Sequence, residues 1–317
     1  MLLLLLGAVA RSAPPTTRPV PAIQRVLIIS IDGLRSDVLL RAEALTIHDL
    51  YRSGSFSFWA KTTAASITLP SHVSMFTGVT PEAHAILWNG DLPLAKPVYP
   101  TAPTIFELAH RAGYSTAMVA GKSKLSVLDK PGTLDWKWYP DQPKCEDAEV
   151  TAAATSILRE HQPQLMFVHL PGVDNVGHAK GWGSDEQLEA VKQADACVGQ
   201  LLATIREQKL DSETLVILTS DHGGAGRTHG PEDARSRTIP WILSGPGVRK
   251  NFDLTRLGHE HDVETYDTFA TACAVLGIPV TRRIDGKFVH QAFDTENLML
   301  STYQPSMQPT TKPESEQ

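Results

Sequence analysis

Cysteine is scarce: Cys145, Cys197 and Cys273 are three in 317 residues, widely spaced and odd in number. That excludes a disulfide-stapled scaffold and a zinc knuckle, and the three read as small buried side chains. Basic charge is scarce too. Against 35 Asp and Glu there are 29 Lys and Arg, a net charge of −6 that offers no footprint for nucleic acid. No stable nucleic-acid partner is expected, and an anionic substrate would need a local positive centre, for which bound metal ions are the obvious source. Long apolar runs are also missing. The run Leu2 to Val9 is far too short to cross a bilayer as a helix, so no transmembrane span is expected in the mature protein. Ala8-Val9-Ala10 fits a small-residue cleavage site, followed by a Pro/Thr-rich stretch, although no basic residue precedes the apolar core. Residues 1–24 are therefore expected to be a signal peptide and leader, and the protein to be exported. The tail 301–317, rich in Pro, Thr, Gln and Glu, is expected to be disordered.

What remains, residues 25–300, has ordinary globular composition and the length of one large domain. Arg25–Ile31 (RVLIISI) is a short, nearly continuous apolar run, the pattern of a buried parallel strand. Similar runs at 115–120, Leu165–Leu170, Thr214–Thr219 and 238–243 predict further strands. Helical periodicity separates them at 104–112, Asp147–His161, 185–208 and 263–276. Alternation of this kind predicts a doubly wound α/β fold, a mostly parallel sheet with helices on both faces. Asp32 then follows the first strand, Asp174 the Leu165–Leu170 strand, and Asp221-His222 the Thr214–Thr219 strand. Since open α/β sheets bind ligands at the carboxyl ends of their strands, three strands deliver acidic or imidazole groups to one edge.

Each of these pieces has a bland reading. Asp221-His222 in TSDHGG could be a helix cap with a polar neighbour, but two glycines follow at once, and His229 lies a few residues on in GRTHG. Asp174 and His178 in VDNVGH stand at i and i+4, one face of a helix, a spacing that alone is a weak sign of metal. Carboxylate with imidazole suits zinc and neighbouring transition ions, whereas calcium wants oxygen ligands only. In SITLPSH, Thr68 reads first as a helix cap; at a strand-to-helix elbow its hydroxyl would also sit near a positive helix terminus. Metal coordination is one way to make a threonine hydroxyl nucleophilic.

In this order and spacing, IDG, TLPSH, DNVGH, SDHGG and HG resemble the alkaline phosphatase superfamily, most closely its nucleotide pyrophosphatase/phosphodiesterase branch. Thr68-Leu69-Pro70-Ser71-His72 stands where that branch has T-F-P-N-H, and Pro81-Glu82-Ala83-His84-Ala85-Ile86 precedes Asn89 as its P-E-x-H-G-I segment precedes an Asn. The resemblance spans Arg25 to about Gly286. It implies two divalent ions, zinc by preference and manganese as the alternative. One would be held by Asp32, Thr68, Asp221 and His222, the other by Asp174, His178 and His229. Thr68 would attack phosphorus and form a phosphothreonine, Asn89 would donate to a non-bridging oxygen, and water would hydrolyse the intermediate. Two ions about 4 Å apart would clamp the attacking and leaving oxygens. A small phosphodiester or nucleotide pyrophosphate is the expected substrate.

Departures from the pattern open alternatives. Ser71 and Ala85 replace Asn and Gly of many relatives, and little sequence is spare between Asn89 and Asp174 for a substrate-capping insertion. Lys122 and Lys124 in AGKSKL partly match the Lys-x-Arg of threonine-using phosphomonoesterases in the superfamily. Phosphomonoester hydrolysis with Lys122 against the phosphate is therefore the runner-up, and a non-catalytic secreted binding protein of the same fold the remote reading. A sulfatase would need C/S-x-P-x-R, which the nucleophile segment lacks. His72 and His84 read as groups that orient the site, His259 and His261 as decoys in a solvated loop. Trp88, Trp182 and Trp241 belong either to a base pocket or to the core.

Overall fold

The computed structural model describes residues 18–90, 97–258 and 262–294. Eight strands form one sheet: β1 (Arg25–Ile31), β2 (Ser55–Lys61), β3 (Thr116–Ala120), β4 (Trp136–Trp138), β5 (Leu165–Leu170), β6 (Thr214–Thr219), β7 (Thr238–Ser244) and β8 (Phe252–Asp253). Their order across the sheet is β4-β3-β5-β1-β6-β7-β2-β8. β1 pairs in parallel with β5 and β6, and β3 with β4 and β5, while β7 runs antiparallel to β6 and β2. The sheet is therefore mostly parallel, as the alternation predicts, with an antiparallel step at β7. β2, β4 and β8 were not foreseen: SFSFWAK is interrupted by serines and a lysine, and the other two are only three and two residues long.

The central strands are apolar on both faces because each face carries a helical layer. Val26 and Ile28 of β1 join the core under the helices Thr68–Thr77, Ile105–Arg111 and Tyr266–Val275. Leu27, Ile29 and Ile31 join the opposite core, under Asp147–His161 and Asp185–Glu207. β5 and β6 repeat the alternation, Phe167 and Ile217 facing one layer and Val168 and Leu218 the other. The period-two pattern is broken near the carboxyl ends, where Ser30, His169 and Thr219 sit in register on the first face. A polar row of this kind has no packing purpose of its own, and it lies directly behind the residues that follow the strands.

Expected boundaries shift by one to three residues. The helix near 104 starts at Ile105, with Thr104 as a cap whose hydroxyl accepts the Glu107 N–H, and the last helix runs Tyr266–Val275 rather than 263–276. The three cysteines are buried free thiols. The expected leader through residue 17, the tail 301–317, and the decoys His259 and His261 lie outside the described residues. Among the described residues no helix is long and apolar enough to cross a membrane.

Candidate metal centre

Seven side chains named from the sequence converge at the carboxyl edge of β1, β5 and β6. Asp32 is the residue after β1, its N–H still bonded to Leu170 O at 2.9 Å, and Gly33 then turns the chain at φ 71°. Only glycine suits that turn, since a Cβ there would also stand 3.0 Å from Asp174. Asp174 sits in the first turn of the helix Gly172–Lys180, and His178 one turn later faces the same way. Asp221 and His222 follow β6, and His229 returns on the loop beyond. Six of the seven fall into two groups whose ligand atoms lie mutually close: Asp32, Asp221 and His222, all buried, and Asp174, His178 and His229, with the His178 side chain 44 % exposed. His222 joins them, its Nε2 lying 3.4 Å from Asp32 Oδ1, 3.2 Å from Asp221 Oδ2 and 4.0 Å from Asp174 Oδ1.

The hydrogen bonds around these groups follow one rule. Each histidine has its Nδ1–H directed at a backbone carbonyl: His178 to Arg227 at 3.0 Å, His229 to Ser66 at 2.9 Å, His222 to Gly223 at 2.9 Å. Every Nε2 is thereby left as a lone pair pointing into the site. The carboxylates are split likewise. Asp32 Oδ2 takes His169 and Lys122 at 2.8 and 2.7 Å, Asp174 Oδ2 takes Lys122 at 2.6 Å, and Asp221 Oδ1 takes the Gly33 N–H at 3.1 Å. Their other oxygens, Asp32 Oδ1, Asp174 Oδ1 and Asp221 Oδ2, are buried without a hydrogen-bond partner. Lone pairs of three carboxylates and three imidazoles facing one another repel unless cations lie between them. The donor set thus fits two divalent ions, with nitrogen and oxygen ligands suited to zinc or a neighbouring transition ion.

Charge at the site is correspondingly polarised. Burial drives Asp32 upward, but Lys122 and then His169 and His222 outweigh it and hold its carboxyl well below the usual range. Burial and then the Asp32 charge push Asp221 well above that range. Burial lowers His222 to about 3 and lowers His229 as well, so both stay neutral as ligation requires.

Thr68 lies at the junction of these groups. It is the first residue of the helix Thr68–Thr77, and the cap position belongs to Ile67, so the capping role considered for Thr68 does not hold. Pro70 in the first turn removes an N–H that would have no intrahelical partner. With the His222 Nδ1–H committed to Gly223, the Thr68 hydroxyl donates to His222 Nε2 at 3.2 Å. Ser66, just before it, is held in the left-handed region at φ 48°, unusual for a residue with a Cβ, and its carbonyl receives His229. Asn89 lies beside the helix start. Its Oδ1 accepts the Leu69 N–H at 2.9 Å and Lys124 Nζ at 3.1 Å, which leaves the amide NH₂ as its free end.

The remaining candidates sort by position. Lys122 Nζ is buried between Asp32 and Asp174. His72 lies behind Thr68, its Nδ1 2.9 Å from Thr68 O and 3.4 Å from Asp221 Oδ2, its Nε2 2.9 Å from Ser30 Oγ. His84 is buried against Ser74 and Pro70 O, away from the ligand groups. Trp182 donates to Gly33 O at 2.8 Å and meets the His178 and His229 rings edge-on, bracing that pair, whereas Trp241 is core and bonds Thr268 Oγ1. His169 was missed in the sequence. Its one signal is a histidine next to last in the otherwise apolar LMFVHL, on the β5 face that is shared with Phe167.

A model of the type I phosphodiesterase / nucleotide pyrophosphatase family matches residues 26–233. Human GPI ethanolamine phosphate transferase 2, catalytic subunit, is 23% identical over 281 residues, covering 84% of this chain and 28% of that protein. A pyrophosphatase/phosphodiesterase of Schizosaccharomyces pombe is 27% identical over 217 residues, 63% of this chain and 44% of its own length. The chain thus spans less than half of the curated relatives it matches. Murine ectonucleotide pyrophosphatase/phosphodiesterase 5, solved as an inactive variant in complex with AMP, shares the fold at TM-score 0.71 and 16% identity, over 86% of this chain and all of that one. The ordered motifs and the two ligand groups lie within the matched stretch, and the chain belongs to the type I phosphodiesterase / nucleotide pyrophosphatase family.

Proposed function

We infer that the chain is a two-metal hydrolase that cleaves a phosphodiester or nucleotide pyrophosphate bond through a phosphothreonine on Thr68. The observation that carries this is the trio of buried, unpartnered oxygens on Asp32, Asp174 and Asp221, facing the Nε2 atoms of His222, His178 and His229. The chain contributes three carboxylates and the Lys122 ammonium. Two divalent ions bound there would lower the pKa of the Thr68 hydroxyl and leave a positive surplus that its alkoxide and a phosphodiester monoanion together cancel.

Thr68 Oγ1, its proton passed to solvent water, forms the bond to phosphorus as the bond to the leaving oxygen breaks, and that oxygen departs with the bonding electron pair. The Asn89 NH₂, aimed by the two donors on its Oδ1, donates to a non-bridging oxygen as negative charge grows there. Water then cleaves the phosphothreonine and restores the hydroxyl. AMP bound to the murine structural neighbour and the family's own description support a nucleotide or similar small ester as substrate. Zinc is the preferred ion on ligand chemistry. The N-terminal apolar run supports export.

One observation favours phosphomonoesters as a second reading: Lys124 Nζ stands 3.1 Å from Asn89 Oδ1, a cation beside the phosphoryl donor that could match the extra charge of a monoester dianion. Turnover of matched aryl phosphate mono- and diesters, each with and without an added alcohol acceptor, decides between the readings. Diester hydrolysis dominating, and lost in Thr68→Ala, is the expected result. Monoester preference that disappears in Lys124→Ala would favour the second reading. Transfer to the alcohol in place of hydrolysis would align the chain with its transferase relatives, and turnover of neither ester would sink the enzyme reading.

A further inference from the structure

Lys122 leaves the carboxyl end of β3 through Gly121, and its ammonium lies between the two ligand groups, touching one acid of each. In both acids it binds the oxygen opposite the unpartnered one: Oδ2 is held, and Oδ1 is the buried orphan. His169 repeats the arrangement on the first group alone. Its Nε2 lies 2.8 Å from Asp32 Oδ2, a carboxylate oxygen that accepts, so Nε2 carries the proton, and Nδ1 faces the Gly121 N–H, which it shares with His169 O at 3.2 and 3.1 Å. Gly121 joins the two donors, as the residue preceding Lys122 and the one bonded through its N–H to His169. A carboxylate pinned through one oxygen by two donors has little freedom left for the other. The Lys122 side chain is only 7% exposed, with two of its three N–H directions occupied by carboxylates.

We propose that Lys122 is a positioning residue that ties the two cation positions together, that His169 orients the first position alone, and that neither touches the phosphate. The proposal rests on the two-metal reading. It differs from a plain charge effect in sign. Deleting a positive charge beside two dications should tighten their binding, whereas deleting a shared clamp frees Asp32 and Asp174 together and should loosen both. It also separates the two residues, since His169 has no contact with Asp174 by which to affect the second position.

The test uses the full chain, stripped of metal and titrated with Zn²⁺ against a chromophoric chelator, with Co²⁺ absorption spectra reporting ligand geometry at each position. Wild type must bind two ions; fewer would overturn the two-metal reading itself and this proposal with it, before any variant is made. Lys122→Met is expected to weaken both ions by about 10- to 100-fold and to perturb both cobalt spectra. His169→Ala is expected to weaken one ion by a similar factor and spare the other, with His169→Gln, which keeps a donor, recovering part of the loss. Lys122→Gln, retaining length and one donor, carries the same comparison should the Met variant fail to fold. Affinities within about twofold of wild type, or tighter, in the Lys122 variants would overturn the proposal, most directly if KM for the ester rose instead. Weakening confined to one position by the Lys122 variants would overturn the tie between them.

Discussion

Two regions of this molecule bury aspartates, and they treat the carboxylate in opposite ways. Within the helical layers, Asp195 accepts the Thr46 and Ile47 N–H groups at 3.1 and 2.7 Å, one on each oxygen, closing the N-terminus of the helix Leu45–Arg52. Asp267 takes the Glu264 and Lys287 N–H groups at 2.9 and 2.8 Å in the same way. At the sheet edge, Asp32, Asp174 and Asp221 each keep one oxygen with no donor at all. Burial is common to both regions. What sets the sheet-edge acids apart is the incomplete donor set, since buried polar groups are as a rule hydrogen-bonded.

The largest effect that would break or sharpen this contrast lies at the nucleophile. Thr68→Ala should lower turnover of an aryl phosphodiester at least about a thousandfold while elemental analysis still finds two ions per chain. Turnover near the wild-type rate would remove Thr68 from the reaction. Next come the acids themselves. Asp221→Asn should reduce the ion count from two to one and abolish turnover, yet the metal-free protein should melt no lower than wild type, since Asn keeps the oxygen that accepts the Gly33 N–H and the replaced oxygen had no partner. Added Zn²⁺ should raise the wild-type midpoint with concentration, and the variant's much less. Asp195→Asn should do the reverse, costing about 1–2 kcal/mol of stability with ions and turnover unchanged. Equal signs for the two substitutions in a urea melt would dissolve the comparison.

The smallest effect concerns pH. Burial pushes the Asp267 carboxyl up to about 7, far above the ordinary carboxylate range, although two N–H groups favour its charged form. A folded-state pKa raised above the unfolded one means that protonation stabilises the fold. That contribution is complete below the unfolded value and fades as pH rises, vanishing above about 7. Metal-free wild type should therefore lose about 1–3 kcal/mol between about pH 5 and about pH 7.5, and Asp267→Asn noticeably less. Parallel slopes from denaturant melts would show that Asp267 does not titrate in this window.

Much of the site was legible because its acids and imidazoles follow strands, and strand ends are where an α/β sheet exposes polar groups. Asp32, Asp174, Asp221 and His222 stand out against the apolar runs before them, and Asp174 and His178 by helical spacing. Lys122 was legible as a cation but not as a clamp, since nothing local says that a side chain after β3 reaches acids after β1 and β5. His169 was hidden more deeply: one histidine in an apolar strand reads as a tolerated polar residue until register sets it beside Ser30 and above Asp32. The antiparallel course of β7 escaped for a similar reason, because a short apolar strand has the same composition in either direction.

By itself the sequence determined the repeating strand and helix units, the inventory of candidate ligands, and the order of motifs that belongs to this family. Those are local quantities, set by side-chain period and by residue type. Tertiary structure alone decided which oxygen of each acid is held and which is left open, and that one lysine serves both ligand groups. Such choices depend on distances between residues far apart in the chain, from Asp32 to Lys122, Asp174 and Asp221, which only the packed sheet brings together.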